Sequence, residues 1–219
     1  MFNPWRVIRR LLAQNAKLRA ENRVLRKRSE YDPVTGGRNR HGLERAVTLA
    51  LKTLASQHLV EDTNTMPLLP LPSLAFVVSM LFVDLDHFKE LNDAQGHTKG
   101  DKALKEAQGI IDSCFRDISG LTGRWGGDEF VIVLPCADQD VAHARAEKVR
   151  QLIEKKFQVD GGITASIGVS SALFRIGENP RDFLPGLVSV CDQAMYEAKR
   201  SGKNRVYRLP CANSFDRRR

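Results

Sequence analysis

The apolar run Leu74–Val83 (LAFVVSMLFV) constrains this chain more than any other stretch, because it ends without a spacer on Asp84-Leu85-Asp86. Its ten residues fall well short of the ~20 that a membrane-crossing helix needs. Rich in Val, Phe and Leu and closed by charge, it predicts a buried strand over Ala75–Val83 followed by a charged turn. Pro70 and Pro72 mark residues 61–73 (EDTNTMPLLPLPS) as a proline-rich surface loop.

A buried strand needs cover. The sequence offers helices over about Gly42–Gln57, Gly100–Arg116, Asp140–Lys156 and Leu184–Ser201. Leu121–Trp125 and Phe130–Leu134 flank Gly126-Gly127, a hairpin signal. Ile163–Ser170 alternates like a strand, and Val206–Leu209 reads as a short last one. Strand, helix, hairpin, helix and strand, with one more helix before the final strand, predict an α+β sandwich whose helices cover a largely antiparallel sheet. The composition, 42% hydrophobic and 27% charged, suits such a core.

Three segments divide the chain: residues 1–30, a main domain over 31–209 and a tail over 210–219 that ends in a frayed Arg217-Arg218-Arg219. The turn-rich stretch Asp32–Arg40 (DPVTGGRNR) marks the first junction. Nine Lys/Arg and two Glu fall in residues 1–30, leaving 25 basic and 24 acidic residues for the other 189. The formal charge of +8 therefore belongs to the arm and says little about the main domain.

Residues 5–30 read as a helix with Leu11, Leu18 and Leu25 at heptad d and Ile8, Asn15 and Asn22 at a. Leu at d with Asn at a suits a parallel two-stranded coiled coil, and hence a homodimer through residues 5–30. A single solvated basic helix is the plainer alternative. Phe2, Trp5, Ile8, Leu11 and Leu12 beside Arg6, Arg9 and Arg10 also suit a helix lying on an anionic membrane. The basic stretch is short and interleaved with the heptads, which argues against nucleic-acid binding. No apolar core with a small-residue cleavage site opens the chain, and Cys114, Cys136, Cys191 and Cys211 form no CxxC pair. A cytoplasmic protein with reduced thiols is expected, peripheral contact at the inner membrane face being the arm's alternative. Thirty residues are too few for a sensory fold, so control by expression or by partners of the arm is expected.

Chemistry concentrates in two acidic clusters, Asp84-Leu85-Asp86 after the central strand and Asp128-Glu129 after the paired glycines of the hairpin. Carboxylates at adjacent strand ends can converge on one hard cation, and magnesium commonly bridges such groups to nucleotide phosphates. Each cluster taken alone could equally be a solvated turn.

The sequence RWGGDEF at 124–130 resembles the signature of GGDEF-domain diguanylate cyclases. FVDLDHFKELND (82–93), GHTKGD (96–101), DPVTGGRNR (32–40) and DQAMYEAKRSGKNRV (192–206) resemble four further motifs of that family, in its order, over roughly residues 31–208. The resemblance implies a nucleotidyl-cyclase-like, ferredoxin-like palm sheet. It implies that Asp84 and Asp128 ligate magnesium, or manganese in its place, with the Leu85 carbonyl as a third oxygen. Glu129 would help hold the metal or accept the proton of an attacking 3′-hydroxyl. Asn92 and Asp101 would hydrogen-bond the guanine edge, and Lys89, Lys199 and Lys203 would neutralise the triphosphate. The implied reaction condenses two GTP into cyclic di-GMP and two pyrophosphates, one GTP from each of two facing domains. Bacterial signalling in biofilm and motility control is the role the family suggests.

Plainer roles stand beside these. Asp86 would cap a short helix at His87–Leu91, and His97 would order its loop. Lys199 and Lys203 would answer a helix dipole. Trp125 would pack on the sheet, and Phe88 and Leu91 would pack the turn onto the core. Arg124 lies near the site without an assigned role. The whole could also be a catalytically silent, GTP-binding regulatory module, although such members of the family usually lose signature carboxylates. Three departures from the family pattern stand out. Lys203 replaces an arginine, which removes a bidentate phosphate grip. Gly37 replaces a leucine at the junction. Asp117-Ile118-Ser119-Gly120 stands where many members carry the R-x-x-D product site, so no product inhibition is expected through that stretch.

Overall fold

A computed structural model describes residues 4–62, 75–158 and 162–210. Most of the proline-rich loop (63–73) and the tail from 211 lie outside the described residues. The elements in chain order are α1 (Pro4–Glu30), β1 (Arg38–Asn39), α2 (Arg40–Asp62), β2 (Ala75–Asp86), α3 (Phe88–Gln95), α4 (His97–Phe115), β3 (Leu121–Gly126), β4 (Glu129–Pro135), α5 (Gln139–Phe157), β5 (Thr164–Arg175), α6 (Pro180–Arg200) and β6 (Arg205–Arg208).

They build one six-stranded sheet, ordered β1-β3-β4-β2-β5-β6. The four inner strands pair antiparallel, while the short edge strands β1 and β6 join parallel. β2 lies between β4 and β5, paired on both sides, which explains its continuous apolar sequence. The pleat divides its side chains. Leu81, Val83 and Leu85 join the α4 and α5 residues Leu104, Ile111, Val149 and Ile153 on one face. Val78, Met80 and Phe82 join the α2 and α6 residues Leu43, Val47, Leu187 and Cys191 on the other. The expected α+β sandwich is present.

Several boundaries differ from expectation: α2 runs on to Asp62, taking up the first two residues of the expected 61–73 loop, and α4 starts at His97. β2 runs on through Asp86, because its ladder with β5 holds to Asp86↔Thr164. The acidic cluster therefore belongs to the strand and not to a turn. β5 is likewise longer, reaching Arg175 opposite Ala75. α6 starts at Pro180, a residue preorganised for the first helical position, where the Asn179 side chain accepts a hydrogen bond from the Arg181 amide.

α1 is helical as expected, and Ile8, Leu11 and Leu18 of its heptad are exposed. The side chains of Asn22 and Leu25 lie outside those described. The helix end is tied to the main body by an Arg45–Glu30 ion pair at 2.6 Å and by Asn39 donating to the Ser29 carbonyl at 3.0 Å. Among the described residues no helix is long and apolar enough to cross a membrane. Cys114, Cys136 and Cys191 are free thiols.

Candidate active site

Asp84 stands level with Glu129 on β4 and Ser166 on β5, near the end of the central strand. The Leu85 amide donates to the Asp128 carbonyl at 3.3 Å, tying the hairpin turn to the same strand end. The pleat turns Asp84 toward α6. That helix lies very close to the sheet at Gly168 of β5, where a Cβ would collide with the Cys191 carbonyl and the Met195 amide. One turn beyond Met195, Lys199 places its Nζ 2.7 Å from Asp84 Oδ2. Burial pushes the Asp84 carboxyl up to about 6; Asp128 and Glu129 add to the shift and Lys199 opposes it. Glu129 is raised as well, by burial and then by Asp128 and Asp192. For Lys199 burial works against the ammonium, but the Asp84 hydrogen bond and charge win and the net shift is upward.

Asp86 behaves differently. It does not cap α3: the residue before that helix, His87, is left-handed and the helix start has no side-chain cap. Instead its carboxylate turns into the sheet and accepts from Ser166 Oγ at 2.8 Å, Thr164 Oγ1 at 2.7 Å and the Asn204 amide at 3.0 Å. Two hydroxyls from β5 hold it in place of the helix end. The Asn204 contact holds a left-handed pair, Lys203 and Asn204 at φ 60° and 45°. Lys203 thus lies beyond α6, where its amide, and not its ammonium, answers the helix end by donating to the Ala198 carbonyl at 3.1 Å.

On the other side of the hairpin turn a cleft of about 430 Å³ opens between α3, α4 and residues 124–128. Lys89, Asn92, Asp101 and Asp128 line it, together with Phe88 and His97. Phe88 also packs, as expected, against the core cluster that buries Leu91. Asn92 Oδ1 is buried and has no hydrogen-bond partner among the described residues. Gly100 makes that placement possible, since a Cβ there would overlap Asn92 Oδ1. That leaves a buried amide oxygen unanswered among the described residues at the wall of a polar cleft.

The structure therefore gathers Lys89, Asn92, Asp101 and Asp128 around one cleft and Asp84, Glu129 and Lys199 at the adjoining strand end. Lys203 does not line the cleft, but its charge acts on Glu90, the neighbour of Lys89 on α3. Among the described residues no three His, Cys, Asp or Glu side chains stand in a ready-made metal arrangement. The oxygen-only chemistry still suits a hard cation: three crowded carboxylates, one of them buried, answered by a single lysine amine.

Arg124 acquires a definite position. Its Nη1 donates to both Asp32 oxygens at 3.0 and 3.1 Å, while Nε and Nη2 donate to the Gly127 carbonyl at 2.8 and 2.6 Å. Asp32 also caps its own turn by accepting from the Thr35 amide at 2.7 Å. Burial acts to raise its pKa, yet the Thr35 and Arg124 contacts prevail and hold it below the ordinary carboxylate value. The junction after the arm is thereby bolted to the turn that carries Asp128. Trp125 packs on the sheet edge as expected, edge-on to Phe82 at 6.3 Å with the Arg40 guanidinium 4.3 Å over its ring. Asp117 pairs with Arg145 at 2.7 Å on the far side of the sheet from α6.

Residues 73–205 match the family described as "Diguanylate cyclase, GGDEF domain". Diguanylate cyclase A of Treponema denticola is 39% identical over 133 residues, which are 59% of this chain and 34% of that protein. The chain thus spans about a third of the length of such relatives. Among solved structures, the coiled coil and GGDEF domain of DgcB from Caulobacter crescentus, in complex with c-di-GMP, is similar over 92% of this chain and 97% of that one, with a TM-score of 0.65 and 22% identity. Diguanylate cyclase SiaD from Pseudomonas aeruginosa, in complex with its activator SiaC, is 30% identical with a TM-score of 0.57, over 95% of this chain and 71% of that one. The fold is the α+β, palm-like sheet of these domains.

Proposed function

From the premise that the chain belongs to the GGDEF diguanylate cyclase family, we propose that it condenses two GTP molecules into cyclic di-GMP and two pyrophosphates, acting as a dimer. The observation that carries the reading is the juxtaposition of three carboxylates at one strand end with a cleft lined by Lys89, Asn92 and Asp101.

In the cleft, Asp101 accepts from the N1–H and N2–H groups of guanine and Asn92 answers its remaining edge. Adenine would leave these groups unpaired, which is the basis for rejecting it. Lys89 lies beside the cleft and Lys199 beside the strand end, where both can meet phosphate oxygens; Lys203 joins them from its loop. Asp84, the Leu85 carbonyl and Asp128 are the oxygens that would hold magnesium, or manganese in its place. A cation bound there would offset phosphoryl charge and lower the pKa of the 3′-hydroxyl. Glu129 stands next to that centre, within the raised-pKa environment that suits a proton acceptor.

Each domain supplies one GTP, so two must face each other. We assign that assembly to residues 1–30, with 31–209 as the catalytic domain and 210–219 as a tail. The exposed Ile8, Leu11 and Leu18 support the assignment, since pairing along that seam would raise the effective concentration of one domain for the other. The stretch 117–120 lacks the R-x-x-D pattern, and Asp117 is engaged by Arg145, so product feedback through it is not expected.

The deciding assay is chromatography of the products after incubation with GTP and magnesium, beside a matched Asp128→Ala sample. Cyclic di-GMP from the native chain alone supports the proposal. Tight GTP binding without turnover would overturn it in favour of a silent regulatory module.

A further inference from the structure

The contact between Lys199 and Asp84 sets the proposed cyclase site a problem. The lysine assigned to the triphosphate is already committed, at 2.7 Å, to a carboxylate assigned to the metal. Taking the cyclase proposal as its basis, we infer that Lys199 serves the two anions in turn: in the metal-free protein its ammonium stands in for the cation on Asp84, and a divalent ion arriving there releases it to the nucleotide.

Burial and charge favour this. The Asp84 side chain is only 6% exposed, and Asp128 and Glu129 bring two more negative charges to the same strand end. An unpaired carboxylate in that setting is costly, so something cationic must sit there before any metal does. Among the described residues Asp84 has no hydroxyl partner of the kind that Asp86 has, since Thr164 and Ser166 both donate to Asp86. Lys199 can fill the place and can also leave it. Its side chain is 35% exposed, it projects from the last turn of α6, and Gly202 follows in the adjoining turn. Its stem is anchored by a helix that cannot shift toward the sheet, because of the close approach at Gly168. What moves is the flexible end of one side chain.

The consequence is a coupling. A metal ion entering alone must displace an ion pair and strand an ammonium. Entering with a triphosphate, it leaves that ammonium with a new partner. Metal and nucleotide then bind with positive cooperativity, each strengthening the other by the same factor.

The test is Mn²⁺ binding to the full chain at pH 8, read from the electron paramagnetic resonance signal of free Mn²⁺. Without nucleotide, Lys199→Met is expected to bind Mn²⁺ roughly tenfold more tightly than the native chain. With α,β-methylene-GTP, which cannot release pyrophosphate, the native chain is expected to gain more affinity than the variant, so the coupling shrinks by about the same factor. Equal or weaker nucleotide-free binding by the folded variant overturns the inference. A measurement on the native chain guards against a misfolded variant. The ¹⁵N ammonium resonance that Lys199→Arg removes should shift when Mg²⁺ is added, and a resonance unmoved at saturating Mg²⁺ overturns the inference equally. If Mn²⁺ binds neither protein even with the analogue, the metal reading of Asp84 falls together with it.

Discussion

Asp84 and Leu11 both violate the ordinary rule of what goes inside and what stays out, in opposite directions. One is a carboxylate sealed at a strand end, the other an apolar side chain 59% exposed on a lone helix. The strand-end misfit is largely mended within one chain, by Lys199 and by a sheet that fixes its neighbours. The misfit on α1 is not mended, as Ile8, Leu11 and Leu18 remain exposed. Under the proposed function the contrast is a division of labour, in which one chain builds the chemical centre and the arm is assigned the task of finding a second copy.

Substitutions can test that contrast. The largest loss is expected at the strand end: Asp128→Ala should cut cyclic di-GMP formation roughly a thousandfold at every protein concentration. Leu11→Lys with Leu18→Lys should behave otherwise. Activity should fall about a hundredfold at low protein concentration and recover as concentration rises, with the loss of dimer visible in light scattering. A loss independent of concentration would remove the distinction between the two regions. Arg124→Lys sits between them, since a single ammonium cannot span Asp32 and the Gly127 carbonyl as Nη1, Nε and Nη2 do together. A decrease of about tenfold in kcat/KM is expected, about 1.4 kcal/mol of transition-state stabilisation, with dimerisation untouched.

The smallest effect is on stability. Asp84 is raised from 3.8 to about 6 in the fold, so the folded chain holds that proton more firmly than the unfolded one. Its contribution is fully favourable below pH 3.8 and is lost as pH rises through about 6. In metal-free buffer Asp84→Asn should therefore melt about 2–4 °C above the native chain at pH 7.5, the gain vanishing near pH 4. A variant that melts lower at pH 7.5 would mean that the Lys199 pair outweighs the burial.

Much of the fold is legible in the sequence because the strongest signals are local. The apolar run before Asp84, the glycine pair at 126–127 and the helical pattern of the arm each need only a short window, and the strand, the hairpin and the helix they predict are all present. The two carboxylates of β2 are not separable that way. Asp84 and Asp86 sit two apart on one strand face, and what makes one a structural buckle and the other a charged centre is a pair of hydroxyls 78 and 80 residues away. The same holds for Arg124, whose partner Asp32 is 92 residues distant. The turn after α6 is no easier to read locally: Lys203 and Asn204 are both left-handed without being glycine, and the Asn204 amide is held by Asp86, 118 residues away. Gly100 stands inside a family motif, yet its purpose, making room for Asn92, needs two elements in place. In each case the missing information is a tertiary pairing that no single window contains.

Gly168 has a bearing on how such a chain can drift over generations. Its backbone is ordinary, so glycine is held there by volume and not by conformation: the adjoining helix backbone already fills the space of a methyl group. The outward face of α6 is free to change, but the smallest step at residue 168 would lift that helix and withdraw Lys199 from Asp84. A lineage is thus as tightly bound at a silent spot beneath a helix as at the carboxylates of the strand end itself.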